Sequence, residues 1–323
     1  MPQSAAVVAL RDDRWHITGL ESLAKAVESM DIGPGAGGLA ADRNRIVATL
    51  RTYLLPRFED PHGPLVVVFA GPTGSGKSTL VNSLVGRDMS ETGSLRPTTS
   101  EPVIVASQPN APRFETLTGV ECEVVIGSAP ILGVMALVDT PDIDSTALDH
   151  RRKAEALVDR ADVVVFVTSA LRYADDVAWQ VLRRAVSRGA DVIHVLNRAT
   201  SGTSGAVSDF RSLLRSEGLD DVLVTIPEHH LPTGGQQIPS LAVRSLRRRL
   251  AAIAARRDTA ARSTRDQVLA LALRDTQDLL ATVAGLDLEV DALAAELSLD
   301  LARRAAGLDL TLVPSVAGIT PPP

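Results

Sequence analysis

The stretch "GPTGSGKST", Gly71 to Thr79, satisfies the pattern G-x-x-x-x-G-K-[ST] and stands between an apolar run and a helical stretch. In that context the pattern holds a phosphate. Its glycines permit a tight loop whose amides point inward, and a helix opening from the loop adds favourable potential for an anion. Gly71, Pro72, Thr73, Gly74, Ser75, Gly76, Lys77, Ser78 and Thr79 are therefore expected to bind a nucleotide. Lys77 would lie along the β- and γ-phosphates, and Ser78 would ligate Mg2+. The chain has three lysines against thirty arginines, and one of the three is here; a compact ammonium suits this position better than a planar guanidinium.

A magnesium-bound triphosphate needs a second acidic anchor. "VMALVDTPD" supplies one in Asp139, at the end of an apolar run, where a carboxylate could hold the metal through water. Between the two motifs lies "LRPTTSEPVIVA", residues 95–106. A switch protein has a use for threonines there: the hydroxyl and carbonyl of one can close over Mg2+ and the γ-phosphate.

The elements that must position these residues follow from the hydrophobic pattern. Residues 65–70, 103–107, 134–138, 163–168, 192–196 and 222–226 are near-continuous apolar runs, as strands buried on both faces of a parallel sheet should be. Helical stretches at 77–85, 147–160, 175–188 and 205–217 fall between most of them. The alternation predicts an α/β fold with a doubly wound, mostly parallel sheet. Residues 20–30 and 40–58 read as helix, and after Pro239 everything does. Leu279, Val283, Leu286, Val290, Leu293 and Leu297 recur at spacings of four and three, a seam that must pack on other helices. The expected division is an N-terminal helical segment (1–62), a nucleotide-binding domain (63–237) and a C-terminal helical region (238–323), with the two helical parts forming a bundle or arm.

Composition narrows the function. A net charge of −6 makes nucleic acid an unexpected partner, because neutralising phosphates needs a basic surface. Cys122 is the single cysteine, which excludes an internal disulfide and a cysteine-based zinc site and fits a reducing compartment. Arg11 and two aspartates interrupt the N-terminal residues before a signal-peptide core could form. The expected location is cytoplasmic or peripheral at a membrane.

"GPTGSGKST", "RPTTSEP", "DTPDIDS" and "VLNR" together resemble the dynamin-like and Era-like branch of the bacterial P-loop GTPases, in order and at plausible spacings. The resemblance implies a GTPase domain with helices before and after it that pack as a bundle, and Mg2+ and GTP or GDP as ligands. The arginine run "RSLRRRL" after Pro239 reads as a solvated, salt-bridging face or as a surface for an anionic membrane or an acidic partner, and a second copy of the chain is a further candidate partner. The resemblance makes Thr99, with Thr98 beside it, the switch-one threonine that joins Ser78 and Asp139 at the metal, and gives Lys77, Thr99 and Asp139 the catalytic roles. It makes Asp139 to Asp142 the start of switch two. Asp142 stands where the family usually has Gly, so its amide could meet the γ-phosphate while its carboxylate turns away from like charge. Ile143 follows where Ras-like proteins carry a water-positioning Gln, and Gly74 stands where potassium-activated relatives carry Asn; both departures imply slow intrinsic hydrolysis.

The family follows a strand with Asn-Lys-x-Asp, whose Asp accepts two hydrogen bonds from guanine. Here the loop is "NRAT": Asn197 is present and expected to face the base, Arg198 could lay its stem over it, and Thr200 replaces the Asp. An ATP-binding ATPase and a nucleotide-binding scaffold with little hydrolysis therefore stay open beside the GTPase. Thr200→Asp should raise preference for GTP over ATP by about 10²-fold, since two charge-assisted bonds are regained. An unchanged ratio in a competitive titration would mean that the base is read elsewhere.

Overall fold

The computed structural model describes residues 13–32, 37–88, 101–117, 120–144, 148–219, 222–229, 237–283 and 294–299. The chain divides into two compact units: Met1–Glu59 with Leu269–Pro323, and Asp60–Val268.

The larger unit is built on seven strands: β1 (Leu65–Ala70), β2 (Val103–Ala106), β3 (Glu123–Ile126), β4 (Met135–Asp139), β5 (Val163–Ser169), β6 (Asp191–Ala199) and β7 (Leu223–Pro227). Their order across the sheet is β3-β2-β4-β1-β5-β6-β7. All neighbours are parallel except β2 and β4. Every residue of β1 is buried, and its side chains alternate between two cores. Leu65, Val67 and Phe69 join one with α4 (Lys77–Val85) and α9 (Arg244–Ala255), whereas Val66, Val68 and Ala70 join the other with α6 (Leu148–Val158), α7 (Asp176–Ser187) and α8 (Ser204–Ser216). A continuous apolar run is what such a two-faced strand requires. The chain leaves β1 with β4 on one side and β5 on the other, so the crevice past its C-terminal end is where a doubly wound sheet binds ligands.

Two elements escaped the apolar pattern. β3 is a four-residue edge strand with half of its residues exposed, and Glu123 begins it; an edge strand need not be apolar on both faces. Helix α5 (Ala111–Leu117) links β2 to β3 and is anchored by the buried Phe114. The boundary expected at 237/238 also does not match the packing. Ile238, Leu246, Leu250 and Ile253 lie in the same core as β1, and the Ile238 amide donates to Ser83 Oγ on α4 at 2.9 Å. Residues 238–268 therefore belong to the sheet-containing unit.

The smaller unit is helical, as expected of the arm. Helix α1 (Asp13–Ser29) begins earlier than its apolar spacing suggested and buries Leu20, Leu23, Ala24 and Val27. Helix α2 (Gly37–Thr49) passes through a π-helical turn at Leu50–Leu54 into α3 (Leu55–Glu59), whose Phe58 stacks on His16 with ring centroids 5.1 Å apart. From the other end of the chain, Arg45 pairs with Asp275 of α10 (Arg257–Thr282) at 2.6 Å. Residues 294–299 are helical and bring Leu297 against Gly19, where an added Cβ would sit 3.2 Å from Leu297 Cδ2. Of the expected leucine seam, Leu279 and Leu297 are buried, and residues 284–293 lie outside the described residues. No helix of the described residues is long and apolar enough to cross a membrane.

One buried carboxylate aligns the sheet. Asp162, fully buried just before β5, accepts from the Val66 amide at 2.7 Å and donates its own amide to Val66 O at 2.9 Å, while its carbonyl accepts from Asp191 N at 3.0 Å. It thus ties β1, β5 and the start of β6 together. Asp162→Ala leaves the Val66 amide buried without this acceptor and should cost about 2–3 kcal/mol. The check is a lower urea midpoint at unchanged m-value; an unaltered midpoint would show that the clamp is dispensable.

Candidate functional site

β1 ends at Ala70 and the loop Gly71–Gly76 leads into α4, as the motif required. Two glycines are forced by geometry. A Cβ on Gly71 would lie 1.9 Å from Val167 O of β5, and a Cβ on Gly76 would lie 2.4 Å from Asn197 Nδ2, with φ at +94° in the left-handed region. Gly76 also caps α4 without any side-chain hydrogen bond, so the first amides of that helix keep their capacity for an anion. Lys77 is 5% exposed; its ammonium turns back along the loop and donates to Gly71 O at 3.0 Å and Pro72 O at 3.4 Å. The Ser75 hydroxyl is buried within the loop and makes no hydrogen bond to the protein. A left-handed glycine cradle, an uncapped helix start, a buried ammonium and an unengaged hydroxyl together fit a phosphate group.

For the metal, the register of β4 on β1 sets Asp139 beside Phe69, two residues before Gly71, and buries it completely. Thr140 fixes this strand end by donating to Phe69 O at 2.8 Å. Ser78, in the first turn of α4, offers a hydroxyl, and Asp139 a carboxylate, one strand away. Those donor types suit a hard cation such as Mg2+. Thr79 stands in the same turn, its carbonyl accepting from Ser83 Oγ. Thr98 and Thr99 lie outside the described residues.

The segment after Asp139 folds over the loop in a way the sequence did not reveal. The Asp142 carboxylate lies against the lysine: its Oδ1 accepts from Lys77 Nζ at 2.6 Å. Two residues on, Asp144 Oδ1 accepts from both the amide and the hydroxyl of Thr73, each at 2.7 Å. Arg172, beyond β5, donates to Asp144 Oδ2 at 2.5 Å and to Asp175 Oδ2 at 2.7 Å, and Asp175 caps α7 through the Ala178 amide. Burial by itself pushes the Asp144 carboxyl up, but Thr73 and Arg172 outweigh it and hold the group below its ordinary value. Its bond to Asp175, followed by that to Asp144, raises the Arg172 guanidinium. Between the two aspartates, Ile143 is fully buried in the apolar core and presents no polar group to the loop. Asp144 stood within a recognised motif, but nothing in "ALRYADD" marks Arg172.

Asn197, near the end of β6, directs its side chain to the phosphate loop. Its Nδ2 donates to Ser75 O at 2.8 Å, and its Oδ1 accepts from the Arg198 amide at 3.0 Å. The register of β6 on β7 is irregular between Leu196 and Ala199, and Arg198 there takes a left-handed φ of +56°. Thr200 is exposed, and its carbonyl accepts from the amide and hydroxyl of Thr203 as the chain enters α8. This geometry makes Asn197 a support of the phosphate loop. Asn197→Ala should weaken GTP and ATP alike by about tenfold, one net hydrogen bond. A loss confined to guanine nucleotides, measured by parallel titrations, would instead make it a base reader.

Residues 66–198 match the family model described as 50S ribosome-binding GTPase. Over 143 residues the chain is 30% identical to "Probable transmembrane GTPase FZO-like, chloroplastic" of Arabidopsis thaliana, covering 42% of this chain and 15% of that protein. Over 256 residues it is 24% identical to "tRNA modification GTPase MnmE" of Rhodopseudomonas palustris, covering 70% of this chain and 51% of that one. The chain thus spans about half of one relative's length and a small part of the other's. Among solved structures, a bacterial dynamin pair described as sensing and tethering membranes aligns over 95% of this chain and 62% of its own, with 12% identity and a TM-score of 0.44. The matched residues include the phosphate loop, Asp139 and Asn197, so that residues 66–198 of this chain are similar to the GTPase domain that the model describes.

Proposed function

We propose that this protein binds GTP with Mg2+ and hydrolyses it slowly, and that its helical unit transmits the state of the switch segments to a partner. The observation that carries the reading is the loop between β1 and α4, with Lys77 buried at its centre and Asp139 one strand away. In such a site Mg2+ and the lysine neutralise charge that builds up on the phosphates, and Thr99 would complete the metal shell. Slow turnover follows from Ile143, whose buried side chain cannot orient a water. We place the protein in the cytoplasm or at a membrane surface. The partner to test first is a second copy of the chain or an anionic membrane.

An adenine nucleotide is the second reading, because an exposed Thr200 stands where a guanine-reading carboxylate would be. Side-by-side titration of GTP, GDP, ATP and ADP with Mg2+ separates the two, and tighter binding of the guanine pair is expected. Equal or tighter binding of the adenine pair would overturn the GTPase reading. Single-turnover phosphate release should exceed that of Lys77→Ala; release no faster than the variant's would make the protein a nucleotide-dependent scaffold.

A further inference from the structure

We infer that Asp142 is a built-in competitor of the nucleotide's phosphates: it neutralises Lys77 from within and thereby lowers nucleotide affinity and speeds exchange. The inference rests on the reading of this loop as a triphosphate site, and it goes beyond that reading because it assigns the segment after Asp139 an inhibitory role.

The Lys77 ammonium is 5% exposed, and an ammonium that deep needs a counter-charge. A phosphate would provide one. So does the Asp142 carboxylate, at 2.6 Å and itself 21% exposed. The carboxylate and a phosphate oxygen have the same charge sign and the same acceptor chemistry, so they cannot share one ammonium without repulsion. Binding of a triphosphate must therefore break a pair that is already formed. At the family's usual glycine no such pair exists, and the departure at this position gains a physical meaning.

The neighbouring contact acts in the same direction. Asp144 takes the Thr73 amide, a donor of the phosphate loop, and Arg172 holds Asp144 in place from beyond β5. Both aspartates lie on one short segment, Asp142 to Asp144, with the buried Ile143 as a pivot between them. When a phosphate displaces Asp142, the segment must move as a whole or Asp144 must release Thr73. Nucleotide arrival is thus linked to movement of switch two, and its departure to the return of Asp142. Such a protein releases nucleotide without a dedicated exchange partner.

The test uses the full chain with fluorescent GTP and GDP analogues and Mg2+. Asp142→Asn keeps the shape and removes the charge; Asp142→Gly restores the family residue. Both should bind the triphosphate about 10- to 100-fold more tightly than wild type, chiefly through slower dissociation. The gain for the diphosphate should be smaller, since it lacks the γ-phosphate next to switch two. If wild type binds, Lys77→Ala does not, and both Asp142 variants bind no more tightly, the inference falls while the proposed function stands. If wild type fails to bind but Asp142→Asn binds, the inference is supported while the proposed function fails for the wild-type chain. If no form binds, the proposed function fails, and a double-mutant cycle of Lys77→Met and Asp142→Asn in urea, without nucleotide, still reads the pair. Coupled losses would support it, and additive losses would overturn it.

Discussion

A buried ammonium is the constraint to which the rest of this molecule answers. Lys77 sits inside a loop of backbone carbonyls and amides with little water around it. A cation in that place is stable only if the surrounding chain supplies acceptors and an anion. Gly71 and Gly76 let the backbone come close enough, α4 fixes the lysine at its first residue, and Asp142 brings the charge. The same features that satisfy the lysine suit a phosphate, because an anion that takes the place of Asp142 would meet the same cation and a helix start without a side-chain cap.

The sheet is what makes this arrangement rigid. β1 is central and buried on both faces, so its end cannot wander, and the loop starts from a fixed point. β4 lies on one side and delivers Asp139 and the segment that follows; β5 lies on the other, its Val167 carbonyl abutting Gly71 and its continuation carrying Arg172. β6 reaches across to brace the loop with Asn197. Three strands that are far apart in the chain thus converge on one turn. The Asp162 clamp at the opposite end keeps β1, β5 and β6 in the register that allows this.

Much of the fold was legible because its signals are local. Six buried strands appear as apolar runs, and β3 was missed because an edge strand has one face in solvent and carries Glu123. The helical region after Pro239 was read as one piece. Its first part packs in the sheet's core through Leu246, Leu250 and Ile253, a division that depends on which apolar face finds which partner. Helical periodicity shows that a face must be buried, but not against what.

The sequence by itself determined the phosphate loop, its lysine and the acidic end of β4, since each is a contiguous motif whose chemistry follows from spacing along the backbone. Only the tertiary structure decided how the surrounding side chains are used. Lys77 and Asp142 are separated by 65 residues, Thr73 and Asp144 by 71, and Asn197 and Ser75 by 122. No local pattern encodes a contact over such distances. It arises because the sheet order sets the ends of β1, β4 and β6 near one another, and a buried charge then selects the nearest group that can neutralise it.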